Sequence, residues 1–133
     1  MVEQETLREG AELRAAAQGA RSEQLQRGIR DLDPALAEWV DGFVFGEVWQ
    51  RPGLSFEQRI LAAISALAAT RNHDQLRAYL FGAVQSGISK DAVQEVLAMQ
   101  VVYCGFPAGI QALTVWRDVL RSCEKHGLGQ GHP

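Results

Sequence analysis

The sequence predicts an all-α protein, a single helical bundle that works as an oligomer, and three observations carry that expectation. Apolar residues recur at three- and four-residue spacing through most of the chain, N-cap residues precede several of those runs, and no stretch alternates apolar and polar residues long enough to make a strand. With 133 residues, 47% hydrophobic and 22% charged, the chain suits one ordinary core, and residues 1–133 are expected to form a single domain.

The elements follow in order. From Gln4 to about Gly28 the chain is rich in Ala, Glu, Gln, Leu and Arg, with Leu7, Leu13 and Ala17 near helical spacing. This predicts a helix over 4–28 whose weak apolar face suits the surface, or an arm on another subunit. Asp33 and Pro34 supply an N-cap and a favourable first residue for a short helix through Ala37 to Val40. The stretch GFVFGEVWQRPGL, Gly42 to Leu54, is aromatic and irregular and ends in a Pro52-Gly53 turn. Ser55 and Gln58 then form a capping box ahead of Phe56, Ile60, Leu61, Ile64, Leu67 and Ala68, predicting a helix from Phe56 to about Thr70.

Asn72 and Gln75 repeat that cap pattern before Leu76, Tyr79, Leu80 and Val84, and Gly87 ends the run. Ser89 caps a further helix in which Val93, Val96, Leu97, Met99, Val101 and Val102 leave only Gln94, Glu95 and Gln100 as polar interruptions. A helix apolar almost all round is expected to be buried. Gly105 and Pro107 restart the chain, and Ile110, Ala112, Leu113, Val115, Trp116, Val119 and Leu120 spread over more than one face of the last helix. That is more apolar surface than one small core uses, so part of it is expected between subunits. Residues 127–133 read as a flexible tail.

The same features narrow the function classes. A net charge of -3 with scattered Lys and Arg gives no attraction for phosphate backbones, so no nucleic acid is expected as partner. Apolar runs such as Ile60 to Ala69 and Val96 to Val102 are well short of the roughly 20 residues that span a bilayer, so no membrane partner is expected. Glu3, Gln4 and Glu5 leave no apolar signal core, which makes a cytoplasmic location the expectation. Cys104 and Cys123 form no paired motif and read as free thiols. His73, His126 and His132 have no ligand spacing with Asp or Glu, and no metal is expected.

Three segments, in this order and spacing, carry a resemblance: FGEVWQRPGLSFEQR at Phe45 to Arg59, DQLRAYLFGAVQSGISKDAVQEVL at Asp74 to Leu97, and VYCGFPAGIQAL at Val102 to Leu113. Together they resemble the carboxymuconolactone decarboxylase family of the alkylhydroperoxidase-like helical superfamily, over about residues 33 to 120. The resemblance implies an alkylhydroperoxidase-like helical bundle assembled into trimers or hexamers, with a pocket at a subunit boundary. It also implies a lyase that removes carbon dioxide from γ-carboxymuconolactone without metal or organic cofactor. Such a substrate is its own electron sink, so the protein needs only to orient the acid, stabilise an enolate-like intermediate and deliver a proton.

Two positions depart from the family pattern. The histidine of its L-R-x-H-L motif is Tyr79 here, and the histidine preceding V-Y-C-G is Met99. Imidazole titrates near neutrality, whereas phenol does not and thioether cannot, so the proton chemistry must differ. The C-x-x-C pair of the superfamily's peroxidase branch is also absent, which disfavours thiol peroxidase activity.

The candidate catalytic residues are Glu47, which matches the family's F-G-E-x-W and sits among aromatics that would raise a carboxyl pKa, and Tyr79, whose hydroxyl can donate to a developing enolate. Their structural alternatives are an ion pair with Arg51 or Arg59, and core packing. Arg51 and Arg59 flank the R-P-G-L turn and are candidates to clamp a substrate carboxylate; Arg77 is a third, and Arg59 leans towards a structural role. Phe45, Trp49, Met99, Tyr103 and Cys104 are candidate pocket walls, with core packing as the alternative for Met99 and for the Phe43, Phe45, Trp49 and Phe56 stripe. His73 can replace a lost imidazole if it faces the pocket. The expected function is a cofactor-independent, decarboxylase-like lyase, or a related acid-base enzyme, acting on a small conjugated carboxylic acid or lactone. The alternative is a non-catalytic oligomer that binds a small molecule or serves assembly.

Overall fold

The computed structural model describes residues 2–128, and all regular structure among them is helical. The helical run expected over 4–28 is interrupted. α1 spans Gln4–Gln18, a 3-10 turn covers Gly19–Arg21, and α2 runs Ser22–Leu32. Gly19 makes the break: its φ of 54° is left-handed, and the Ala20 amide beyond it donates to Gln85 Oε1 at 2.7 Å.

α1 packs on the rest of its own chain, although it has few apolar side chains. Small residues and one buried cation explain this. Gly10 lies against the Asp41 carbonyl, and Gly82 of a later helix lies against the Ala17 carbonyl, so close that a Cβ at either site would overlap backbone. Arg14, with 5% of its side chain exposed, donates through Nε to Asp41 Oδ1 at 2.7 Å and through Nη1 to Ser22 Oγ at 2.6 Å. Gln26 Nε2 adds bonds to the Ala37 carbonyl (2.9 Å) and Asp41 Oδ2 (3.2 Å). This network joins α1, α2 and the segment containing Asp41, and satisfies a charge that would otherwise be costly to bury.

α3, Pro34–Trp39, begins where Asp33 Oδ1 accepts from the Ala35 amide at 2.9 Å. It passes directly into a π-helical segment, Val40–Val48, in place of the irregular stretch expected there. The Trp49 amide bonds to the Val44 carbonyl, the i→i−5 pattern of the wider turn. That turn sends Phe45 and Trp49 inward against Phe56 and Tyr79, and leaves Phe43 and Glu47 exposed.

α4, Phe56–Ala69, carries the predicted capping box, with both Ser55–Gln58 bonds present. α5, His73–Gln85, is the central helix: Leu76 and the run from Ala78 to Val84 are buried against α1, α4 and the last helix. Asn72 does not cap it; its amide donates to Thr70 Oγ1 instead. Past Gly87 the chain enters α6, Lys90–Cys104, capped by Ser89, then turns at Gly105 into α7, Phe106–His126. The core is formed by residues such as Ile60, Ile64, Leu76, Leu80, Leu97 and Trp116.

Two further expectations change. The tail predicted over 127–133 starts as a helix cap: Gly127 is left-handed, and the Leu128 amide returns to the Cys123 carbonyl at 2.8 Å. The rest of that tail, His132 included, lies outside the described residues. α6 is not buried all round, because within one subunit only Val93, Leu97 and Gln100 are buried.

Candidate functional site

Where α4 and α6 lie side by side, a groove of about 420 Å³ opens between them. Helical periodicity on both sides builds it. α4 contributes Leu61 with Ala62, Ser65 and Ala69, the last three small enough to leave the space, and α6 contributes Val96, Met99, Gln100, Tyr103 and Cys104. Among the described residues no charged side chain lines it.

One polar chain crosses this apolar wall. Gln100, 5% exposed, donates through Nε2 to Ser65 Oγ and to the Val96 carbonyl, each at 3.2 Å. Its Oε1 accepts from the Cys104 thiol at 3.4 Å. Buried amides of this kind hold their neighbours in fixed orientations, because an unmade bond in a low-dielectric site is costly. Beside the groove, Met99, Val102, Tyr103, Phe106 and Ile110 form an apolar ridge across the α6–α7 turn, each more than half exposed.

Of the residues predicted from sequence, Met99, Tyr103 and Cys104 line this groove. Met99 is therefore not a core residue of the subunit. The others lie elsewhere. Phe45 is 1% exposed and packs on Trp49, which makes both part of the aromatic core and not walls of this groove. Tyr79 belongs to the same core: its ring lies 6.1 Å from that of Trp49, and its hydroxyl accepts from Gln18 Nε2 at 3.3 Å. Burial pushes its phenol pKa up, with the Gln18 bond opposing.

Glu47 is exposed, because the π-helical turn points it away from the aromatics expected to desolvate it. Among the described residues no ion pair joins it to Arg51 or Arg59. Arg51 is exposed as well, and its carbonyl accepts from Arg59 Nη2 at 2.8 Å, a bond that ties the turn to the start of α4. Arg77 pairs with Asp74 at 3.7 Å. His73 opens α5 with a buried Nε2 that has no partner among the described residues. Glu47 and Arg51 are thus exposed while Tyr79 is buried, and none of the three lines the groove.

Gln100 and Ser65 were missed as site residues. The available signal was an amide four residues before Cys104 within the apolar run Val96 to Val102, and a lone hydroxyl in the Ile60 to Ala69 stripe. A larger cleft, about 470 Å³, lies between α2 and α5 with Arg21, Gln24, Asp74 and Gln75 on its rim, but it has no comparable buried polar chain. Among the described residues no three His, Cys, Asp or Glu side chains gather where they could hold a metal ion, and no helix is long and apolar enough to cross a membrane.

An all-helical fold with a neutral groove between α4 and α6, and an apolar ridge beside it, defines the class of this protein. Residues 34–118 match the family model described as the carboxymuconolactone decarboxylase family, more than half of the chain, and the chain belongs to that family. It is 28% identical over 122 residues to the 4-carboxymuconolactone decarboxylase of Acinetobacter baylyi, covering 91% of each chain. It is also 28% identical over 122 residues to the nitrosuccinic acid decarboxylase of Metarhizium robertsii, covering 90% of this chain and 84% of that one.

Proposed function

We propose that this chain is a cofactor-independent decarboxylase of a small carboxylic acid that carries its own electron sink, with the α4–α6 groove as its site. The observation that carries the reading is the character of that groove: neutral and apolar, with a single ordered chain of hydrogen-bonding groups. Both named relatives support it, because their two acids share one chemistry. In carboxymuconolactone the electron pair left by carbon dioxide passes into the conjugated lactone, and in nitrosuccinic acid it passes into the nitro group. Each substrate needs from a protein only a dry surface, a hydrogen-bond donor for the oxygen that gains charge, and a proton.

A groove without a cation suits the departing carboxylate. Its charge is concentrated in the ground state and dispersed as the carbon–carbon bond lengthens, so apolar surroundings disfavour the former more than the latter. The apolar ridge beside the groove points to closure by a second copy of the chain, which would exclude water from the mouth. Glu47 and Arg51, exposed and absent from the groove lining, contribute to catalysis only if that assembly brings them to a neighbouring groove.

The test is direct. Incubation with 4-carboxymuconolactone and with nitrosuccinate, following carbon dioxide release, is expected to show turnover of at least one acid. Ala62→Trp, which fills the groove from an exposed position, is expected to lower turnover on the order of a hundredfold with helix content and melting temperature unchanged. Full activity in that variant would move the site elsewhere. A second reading, a binding oligomer without catalysis, is favoured by one observation: Glu47, Tyr79 and Arg51 do not converge. Tight binding of either acid without carbon dioxide release would establish it.

A further inference from the structure

We propose that Gln100 is a positioning residue that sets two working groups on the groove wall: the Ser65 hydroxyl, which binds the sink oxygen, and the Cys104 thiol, which delivers the proton. This deepens the decarboxylase reading and rests on it. Gln100 is the one buried polar side chain on the groove wall, and all of its bonds are directed. The Val96 carbonyl fixes the amide plane from within α6. Nε2 then engages the lone pair of Ser65 Oγ, and among the described residues no acceptor takes the Ser65 O–H, which is left to donate into the groove. Oε1 accepts the Cys104 S–H, holding that hydrogen on the same wall, one helical turn further along α6.

The two groups divide the chemistry. As the bond to the carboxylate breaks, carbon dioxide leaves and the electron pair moves into the lactone or nitro group, where the Ser65 hydroxyl donates to the oxygen that gains charge. The Cys104 S–H then transfers its proton to a carbon of the delocalised anion, forming a C–H bond and a thiolate: the carbon that lost the carboxylate in nitrosuccinate, and the carbon next to the lactone carbonyl in carboxymuconolactone, where the electron pair has moved along the double bond. Cys104 is exposed in the single chain, so once product has left and solvent re-enters the groove, water returns the proton to sulfur and the cycle closes with no redox change. A neutral hydroxyl and thiol select a sink of the carbonyl or nitro type, because neither can neutralise a second carboxylate in that place.

Nitrosuccinate provides a readout that a purely structural role would not move. Its decarboxylation gives a nitronate, which absorbs in the ultraviolet and takes up a proton from water slowly. The unaltered chain is expected to release product already protonated. Cys104→Ala is expected to release the nitronate together with carbon dioxide. Ser65→Ala is expected to lower kcat on the order of a hundredfold with little change in KM, and Gln100→Leu to show both defects. With 4-carboxymuconolactone, where the enolate is short-lived, the expectation for all three variants is the fall in kcat. Protonated product at the unaltered rate from Cys104→Ala, or an unchanged kcat in Ser65→Ala, overturns the assignment and leaves the decarboxylase reading standing. If Gln100→Leu does not fold, the two wall variants decide alone. Carbon dioxide release from neither acid by the unaltered chain removes the decarboxylase reading, and this inference with it.

Discussion

Tyr79 stands where the family carries a histidine, yet its surroundings make it a core residue. It is enclosed by Trp49 and the rest of the aromatic cluster, and its only described polar partner is Gln18. Burial holds its pKa above the ordinary 10.0. The unfolded chain therefore loses the phenol proton first as pH rises, so the contribution of Tyr79 to stability is complete below about 10 and is lost as pH climbs towards the folded value. Urea midpoints measured between pH 8 and 11 are expected to fall at the alkaline end, and to fall less in Tyr79→Phe. At pH 7 the same substitution is expected to cost about 1 kcal/mol, because it leaves the buried Gln18 amide without its partner. Met99, Tyr103 and Cys104 drew notice because they stand at or beside the V-Y-C-G motif, whereas Gln100 read as an interruption of an apolar helix and Ser65 drew no reading. Spacing tells which side chains share a face, and does not tell whether that face meets the core or a cavity.

At the scale of elements, local signals were legible and long-range ones were not. The Ser55–Gln58 capping box, the Asp33–Pro34 start and the Ser89 cap lie within a few residues of the helix they begin, and all three are present. Asn72 looked equivalent but bonds to Thr70, a choice that sequence does not encode. The π-helical segment was unreadable because its i→i−5 spacing imitates irregularity when read against an α-helical period. α1 was read as a surface helix or an arm because its packing rests on glycines and on Arg14, whose partner Asp41 lies far along the chain. Two consequences are measurable. Gly82→Ala is expected to destabilise by about 3 kcal/mol, since the new methyl meets the Ala17 backbone and neither helix can yield. Arg14→Met is expected to cost about 3–5 kcal/mol by stranding the largely buried Asp41, with much of that regained in the double variant Arg14→Met/Asp41→Leu. Additive losses in the pair would mean the ion pair is not the source of the effect.

At the scale of the whole molecule, the chain has more apolar side chain than its own core uses, as composition anticipated, and the excess has an address. Met99, Val102 and Tyr103 close α6, and Phe106 and Ile110 open α7 just past Gly105, so these exposed side chains cluster around one turn. The ridge adjoins the groove through Met99 and Tyr103, which belong to both. Assembly through this face would therefore close the site, which couples oligomeric state to activity. Light scattering of the unaltered chain is expected to give a multiple of 14.6 kDa, and Val102→Glu combined with Phe106→Glu is expected to give 14.6 kDa. Both side chains are exposed in the subunit, so the charges cost the fold little, whereas burying two unpaired carboxylates at an interface is prohibitive. The monomeric variant is expected to lose turnover while keeping its helix content, because the groove then stays open to water. A monomer that retains full activity would show that the groove works alone, and a monomeric unaltered chain would leave the ridge without a function in assembly.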